Sequence, residues 1–266
     1  MGEGNTARFV IALENIIMRF GGLTAVDDVS FAIAKGGITG LIGPNGAGKT
    51  TLFNIVAGRL FPTSGRVLLE GQDITRLAPH ERARSGLART FQIPHEFGGL
   101  TVLENLMVAG DTHEGENPLN AVLRRGLFQR EERAVYERAR DTLDLLELKH
   151  VKNEKAGNLS GGQKKLLELG RTLMREPRLI LLDEIGAGIN RTLLGKIAEK
   201  IRRLNEERGF TFCLIEHDLD YVSKLCDDVI VMAQGRVLTR GSIEEVRQDE
   251  RVIEAYFGGG KYEVGT

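Results

Sequence analysis

Cysteine is scarce in this sequence, and its scarcity excludes two classes of small protein. The 266 residues include only two cysteines, Cys213 and Cys226, and these do not form a Cys-x-x-Cys pair. Two isolated cysteines cannot build a disulfide framework, and they lack the paired thiolates of a structural zinc site. We therefore expect a protein of a reducing compartment, the cytoplasm.

An excess of charge of one sign is also missing. The 36 Lys and Arg residues nearly balance the 37 Asp and Glu residues, which leaves a formal net charge of -1 at pH 7. This balance provides no general electrostatic attraction to polyanions or to an anionic membrane. We expect no nucleic-acid partner.

Long apolar runs are absent as well. The longest, such as residues 179–182 and 210–215, fall far short of the roughly 20 residues that a membrane helix needs. The first eight residues are polar and lack the apolar core of a signal peptide. If the protein works at a membrane, we expect it to dock on the cytoplasmic face without spanning the bilayer.

Glycine, by contrast, is abundant, with 33 residues that gather in clusters and form no repeat. Between these clusters, short apolar runs alternate with longer amphipathic stretches, the pattern of a parallel sheet covered by helices. We predict strands buried on both faces at 38–42, 179–182, 210–215 and 229–232, and a helix from about 49 to 57.

Two parts of the chain depart from this alternation. Residues 66–69 lie between two turn segments, which predicts an antiparallel ribbon. From about 101 to 176 strand signals are few, and apolar residues recur at helical spacing in the charged segment 130–147. We therefore predict a helical subdomain inserted into the sheet domain, with an exposed loop at 111–118.

A glycine-rich loop follows the first predicted buried strand. Its sequence, GPNGAGKT, fits the phosphate-binding pattern G-x-x-x-x-G-K-[ST] in its required place between a strand and a helix. Backbone N–H groups of such a loop and the positive end of the helix attract phosphate oxygens. We expect Lys49 to bind the β- and γ-phosphates and Thr50 to offer its hydroxyl to Mg²⁺. The predicted nucleotide-binding loop comprises Gly43, Pro44, Asn45, Gly46, Ala47, Gly48, Lys49, Thr50 and Thr51.

Two adjacent carboxylates, Asp183 and Glu184, end the apolar run 179–182. Phosphoryl transfer needs a metal ion, charge stabilisation and an oriented water. We predict that Asp183 holds Mg²⁺, directly or through water, and that Glu184 is the general base or orients the attacking water. The alternative is a strand that runs into a solvated loop, and the phosphate loop upstream favours the catalytic interpretation.

A second glycine-rich helix start lies at residues 159–163, whose sequence is LSGGQ. Ser160 is a typical helix N-cap, and the glycines permit close approach to an anion. Together with the phosphate loop and the two carboxylates, this segment resembles the ATPase subunits of ABC transporters, over about residues 13 to 258. The resemblance implies an α/β fold: a P-loop NTPase (RecA-like) sheet core with an antiparallel β subdomain and an inserted α-helical subdomain.

The same resemblance sets the expected domain boundaries. Residues 9–91 and 177–257 form the ATPase core with its antiparallel part. Residues 92–176 form the inserted helical subdomain that carries the LSGGQ signature, and 258–266 form a flexible tail.

Further roles come from matching the family pattern residue by residue. Phe20 corresponds to the aromatic that stacks on adenine, although a phenylalanine in the core is the alternative. Gln92 corresponds to the glutamine that contacts Mg²⁺ and the attacking water, and His217 to the histidine that contacts the γ-phosphate. The resemblance also implies a head-to-tail ATPase dimer, in which Ser160, Gly161, Gly162 and Gln163 close on the partner's ATP and Ala187, Gly188, Ile189 and Asn190 contact the partner.

Two positions depart from the family pattern. Ile185 stands where many relatives have proline, and Asn190 stands where many have aspartate. Proline would preset φ, so we expect its absence to loosen the loop after Glu184. Neither change removes a catalytic group, and we expect an active enzyme with ATP and Mg²⁺ as cofactors.

The charged segment around 117–133 and the chain ending at 235–259 resemble the ATP-binding subunits of branched-chain amino-acid importers. Other ABC systems, such as importers of urea or short amides and exporters of the lipopolysaccharide type, are alternatives. An ABC ATPase without a transport role is a further alternative, which the single phosphate loop and the lack of long heptad repeats disfavour. The importer interpretation implies a second ATPase subunit, two transmembrane permease subunits and a substrate-binding protein as partners.

A last prediction concerns the apolar, glycine-broken segment 97–100, which follows Gln92. We expect Phe97 and Leu100 to line a groove for a helix of a permease subunit. The alternative is that both side chains pack the core of the helical subdomain.

Overall fold

The computed structural model describes residues 8–90, 96–110, 125–186 and 189–257. These residues form two compact units. The first comprises 8–89, 178–186 and 194–257, and the second comprises 90, 96–110, 125–177 and 189–193.

A six-stranded sheet forms the centre of the first unit, and five of its strands are parallel. Every residue of three inner strands is buried, as the continuous apolar runs predict. The last strand pairs antiparallel with its neighbour at one edge. In spatial order the strands are β10 (Arg236–Gly241), β9 (Asp228–Ala233), β3 (Ile38–Ile42), β8 (Thr211–Ile215), β7 (Leu179–Asp183) and β6 (Leu87–Arg89).

A four-stranded antiparallel sheet completes the first unit. The predicted ribbon at 66–69 is its third strand, and two strands of twelve residues form its other half. Apolar side chains of both sheets share one large core cluster. In spatial order the strands are β2 (Leu23–Ala34), β1 (Phe9–Phe20), β4 (Ser64–Leu69) and β5 (Gln72–Asp73).

Among the described residues, six helices accompany these sheets. The helix predicted from about 49 to 57 is α1 (Lys49–Val56). Asp218 caps the N-terminus of one helix, and Ser242 forms a capping box with Glu245 at the start of another. The other helices are α2 (Pro79–Arg84), α6 (Arg191–Arg208), α7 (Leu219–Leu225), α8 (Ile243–Gln248) and α9 (Glu250–Phe257), and residues 191–193 of α6 belong to the second unit.

The second unit is helical, as predicted for the middle of the chain. It contains α3 (Val102–Gly110), α4 (Arg125–Leu145), α5 (Gly161–Leu173) and two short 3₁₀ turns, Lys149–Val151 and Ala156–Asn158. The predicted loop at 111–118 and the predicted tail at 258–266 lie outside the described residues. No helix in the described parts of the chain is both long enough and apolar enough to cross a bilayer.

Candidate functional site

The glycine-rich loop joins the end of β3 at Ile42 to the start of α1 at Lys49. Gly48 occupies the N-cap of α1 with φ at 97°, in the left-handed region that favours glycine. A Cβ atom at this position would lie 2.5 Å from the carbonyl oxygen of Ala25. The chain therefore needs glycine here in order to begin the helix immediately after the loop.

Lys49 is almost fully enclosed by this loop, at 5% exposure. Its Nζ donates to the carbonyl oxygens of Gly43 at 2.7 Å and Pro44 at 3.0 Å. Burial lowers the pKa of Lys49, and the carboxylate of Glu184 acts in the opposite direction. The loop thus holds an ammonium group at the N-terminus of α1, where anions bind favourably.

The two carboxylates lie at the end of β7, and their surroundings differ. Asp183 is buried, and its Oδ2 accepts a hydrogen bond from Arg89 Nη2 at 2.6 Å. Glu184 has φ at 48°, an uncommon conformation for a residue with a side chain. Its backbone N–H donates to the carbonyl oxygen of Ile215 at 3.0 Å, which anchors it to the end of β8. Such backbone conformations cluster at functional sites, where the surrounding structure maintains them.

His217 and Glu216 follow β8 directly. The Nε2 of His217 lies 3.0 Å from Oε1 of Glu184. Glu216 is 5% exposed, and its Oε1 accepts a hydrogen bond from the backbone N–H of Gly186 at 2.9 Å. Burial is the main cause that raises the pKa of Glu216. The two residues connect the end of β8 to both Glu184 and the loop that follows it.

Phe20, the predicted adenine-stacking residue, ends β1 and is 46% exposed. This exposure rules out the alternative that Phe20 is part of the core. Its ring is available to a planar ligand.

The LSGGQ segment forms the start of α5 in the second unit. Ser160 is the N-cap, as predicted: its Oγ accepts from the Gln163 backbone N–H at 3.4 Å, and Gln163 Oε1 accepts from the Ser160 backbone N–H at 2.9 Å. A Cβ atom on Gly162 would lie 2.1 Å from the side chain of Leu193. The Oδ1 of Asn190 accepts a hydrogen bond from the backbone N–H of Leu193 at 2.9 Å. Asn190 therefore caps the start of α6, although it lacks the carboxylate of an aspartate.

Not every predicted site residue can be placed. Gln92, Ala187 and Gly188 lie outside the described residues. Within the first unit, Glu184 lies within hydrogen-bond distance of His217, and its charge acts on Lys49. Sequence reasoning missed Arg89 and Glu216, although a charged residue at the end of a short apolar stretch was a signal in both places.

The side-chain oxygen atoms of Thr50 and Asp183 are of the type that binds a magnesium ion. Mg²⁺ prefers oxygen ligands and usually keeps few protein ligands, with water and phosphate oxygens completing its shell. Thr50 is the second residue of α1, and Asp183 ends β7, a strand of the same sheet as β3. The contact with Arg89 occupies only Oδ2 of Asp183. A hydroxyl and one carboxylate oxygen are thus suitable ligands.

Solved structures with the same architecture identify the class of protein. A structure described as the ADP conformation of an ATP-binding cassette of an ABC transporter superposes with a TM-score of 0.81 and 41% identity, covering 94% of this chain and 99% of that one. The structure of cbiO1 from Clostridium perfringens, described as part of an ABC transporter complex, has a TM-score of 0.78 and 27% identity, covering 93% and 94%. Fold and site together define a P-loop ATPase of the ATP-binding cassette class.

The family follows from the sequence. Residues 26–187 match the sequence model of the family described as ABC transporter. The chain belongs to the ABC transporter family, and it is an ATP-binding ATPase subunit. A shorter model, described as branched-chain amino acid ATP-binding cassette transporter, matches residues 236–262.

Two curated relatives align with nearly the whole chain. One is the probable branched-chain amino acid transport ATP-binding protein LivG of Methanocaldococcus jannaschii, 42% identical over 94% of this chain and 97% of its own. The other is the high-affinity branched-chain amino acid transport ATP-binding protein BraF of Pseudomonas aeruginosa, 38% identical over 95% and 99%. Each covers both units of the fold.

Proposed function

We propose that this ATPase drives the import of branched-chain amino acids. The observation that carries the substrate assignment is the match of residues 236–262 to a model specific to branched-chain amino acid cassettes. Relatives named for the same transport align over nearly the whole chain, which supports this assignment. Within the match, Val252 and Tyr256 of α9 pack in the core cluster of Ile42, the last residue of β3 before the phosphate loop.

Hydrolysis begins with capture of the nucleotide phosphates. The Lys49 ammonium donates to two neutral carbonyl oxygens of its own loop. A phosphate oxygen is a stronger acceptor, because a hydrogen bond between two charged groups is shorter and stronger. Lys49 therefore exchanges its loop contacts for the β- and γ-phosphates, while Phe20 stacks on the adenine ring.

Glu184 then acts on the attacking water. Its carboxylate orients the water and accepts its proton as the oxygen approaches the γ-phosphorus. The His217 ring N–H donates to Oε1 of Glu184 and limits the orientations of the carboxylate. Thr50 and Asp183, together with Gln92, would hold Mg²⁺, and the bound ion would neutralise charge on the phosphate oxygens.

The second unit contributes to a neighbouring site. Ser160 and the glycines after it present the N-terminus of α5, a helix of thirteen residues, to a phosphate of a second ATPase subunit. The loop 187–190 contacts that partner. On this proposal, residues 92–176 are the inserted helical subdomain, and two permease subunits and a substrate-binding protein complete the transporter at the cytoplasmic face of the membrane.

Uptake measurements test the proposed substrate. The chain would be reconstituted in proteoliposomes with the permease and binding-protein subunits of the proposed transporter. Radiolabelled leucine, isoleucine and valine should accumulate only with ATP and with unaltered Lys49. Uptake of urea or a short amide in place of these amino acids would reassign the substrate and leave the ATPase assignment intact.

A further inference from the structure

Arg89 connects two elements of the phosphate site, although it lies outside the sequence motifs described above. It ends β6, and its Nη2 donates to Oδ2 of Asp183 at 2.6 Å. Its Nη1 donates to Oδ1 of Asn54 at 2.7 Å. Asn54 lies on α1, one helical turn after Thr50. One guanidinium therefore joins the strand that carries the carboxylates to the helix that follows the phosphate loop.

The surroundings make this a strong contact. The side chains of Arg89 and Asp183 are only 11% and 10% exposed. The guanidinium also lies over the ring of Phe53, 6.0 Å from its centre. Exposed ion pairs contribute little to structure because water screens them, whereas a buried pair with short hydrogen bonds is held in one geometry.

The contact with Arg89 fixes the orientation of the Asp183 carboxylate but occupies only one of its two oxygens. Arg89 binds Oδ2, and within the described part of the chain Oδ1 of Asp183 remains for another ligand. Mg²⁺ demands near-ideal octahedral geometry, so the orientation of a ligating carboxylate affects its affinity. Some side chains do not bind a metal themselves but hydrogen-bond to a residue that does. Removing such a side chain commonly lowers metal affinity or activity by about 10- to 100-fold.

We propose that Arg89 is a positioning residue, which holds the Asp183 carboxylate in the orientation that binds the Mg²⁺ of Mg·ATP. Through Asn54 it also ties that carboxylate to α1, so the metal ligand and the phosphate-binding helix are set as one unit. This inference rests on the proposed metal-binding role of Asp183.

Binding of a fluorescent ATP analogue to the full chain tests the inference, because the affinity can be measured with and without Mg²⁺. The contribution of the metal ion is thereby separated from that of the nucleotide. The dissociation constant is measured with Mg²⁺ and again with EDTA for each variant. Arg89→Met removes the charge and keeps an apolar side chain over Phe53. We expect it to reduce the gain in affinity from Mg²⁺ by about 10- to 100-fold and to leave the affinity in EDTA unchanged. Arg89→Lys keeps the charge without the forked geometry and should recover part of the gain.

Two further variants make the outcome specific. Arg240→Met breaks another Arg–Asp pair in the same sheet, the exposed contact with Asp228, and should leave both affinities unchanged. Asp183→Asn tests the proposed function itself, and it should abolish the gain from Mg²⁺. If Asp183→Asn keeps that gain, the metal role of Asp183 is wrong.

The inference alone is overturned if Asp183→Asn loses the gain while Arg89→Met keeps it. It is equally overturned if Arg89→Met weakens binding by the same factor in Mg²⁺ and in EDTA, since that result indicates a purely structural role.

If Arg89→Met does not fold, Asn54→Ala replaces it, because this variant removes one hydrogen-bond partner of the guanidinium and keeps the ion pair with Asp183. A smaller loss restricted to Mg²⁺ supports the proposal, and an unchanged response to Mg²⁺ overturns it.

Discussion

Oε1 of Glu184 and Nε2 of His217 lie 3.0 Å apart, just beyond the ends of the neighbouring parallel strands β7 and β8. The backbone N–H of Glu184 also donates to Ile215, the last residue of β8. The backbone of Glu184 is therefore bound to the end of β8, and its side chain to a residue just after that strand. The uncommon φ of Glu184 is consistent with this constraint, because the neighbouring strand determines where its carboxylate lies.

Glu184→Gln should retain ATP binding and lose hydrolysis. The amide has nearly the shape of the carboxylate but cannot accept the proton of the attacking water. Removal of a general base typically lowers turnover by about 10²- to 10⁴-fold. Steady-state ATPase assays measure the loss, and gel filtration with Mg·ATP should detect accumulation of an ATP-bound dimer. Turnover near that of the unaltered chain would refute the role of Glu184.

Lys49→Ala should impair nucleotide binding, the step that precedes hydrolysis. The substitution removes the buried ammonium that the phosphate loop holds, so both nucleotide affinity and hydrolysis should fall. Titration with a fluorescent ATP analogue measures the affinity. Lys35→Ala is the matched control, because Lys35 forms a surface ion pair with Glu70 and should not affect binding. Equal affinity in the two variants would contradict the assignment of the loop.

Ser160→Arg tests whether the signature acts on a partner's nucleotide. An exposed cation at the N-cap of α5 opposes the helix dipole and blocks approach of a phosphate. We expect the isolated chain to bind ATP normally and to lose hydrolysis. Ser160→Ala is the control for the cap alone, whose loss costs about 0.5–2 kcal/mol of stability. If Ser160→Arg weakens nucleotide binding by the single chain as much as it reduces activity, the residue serves its own site.

Arg82→Met should destabilise the fold. Arg82 is fully buried, and its guanidinium donates to four backbone carbonyl oxygens, two of which, from Ile55 and Val56, end α1. Loss of these donors leaves buried acceptors unsatisfied, at about 1–3 kcal/mol for each group that finds no water. A denaturant unfolding curve measures the change. Arg84→Met, two residues along on the exposed face of α2, should leave the curve unchanged; a similar loss in both variants would contradict the capping role.

The strands of the parallel sheet are predictable because their burial on both faces leaves a continuous apolar run. The prediction missed β1 and β2, where residues in left-handed conformations, Asn15 and Asp28, interrupt the alternation of inward and outward side chains. It also missed β6, which has only three residues.

The site residues also divide into those that the sequence predicts and those that only the structure reveals. Lys49, Asp183 and Glu184 lie in local motifs, so their types and spacing suffice to find them. Arg89 belongs to no motif, and its contact with Asp183 joins residues 94 positions apart in the chain. Only the pairing of β6 with β7 places the two side chains together.

Phe97→Ala tests the proposed docking groove. Phe97 is 49% exposed, so the alternative that it packs the subdomain core is wrong. Its ring instead lies against the guanidinium of Arg171, 4.8 Å from the ring centre, and its backbone is held by two hydrogen bonds with the buried side chain of Asn105. Truncation should therefore leave the backbone in place and cost about 0.5–1 kcal/mol of stability, the value of an exposed cation–π contact.

We expect Phe97→Ala to weaken assembly with the permease subunits far more than it lowers the stability of the free subunit. An aromatic anchor at the centre of an interface commonly contributes 2 kcal/mol or more, which is about a 30-fold loss of affinity. Co-purification with tagged permease subunits and amino-acid uptake should fall together, while the melting curve of the free subunit changes little. Phe61→Ala is the matched control, because Phe61 is 47% exposed in the first unit and is not part of the proposed groove. Normal assembly and uptake with Phe97→Ala would refute the docking role, since the core alternative is already excluded.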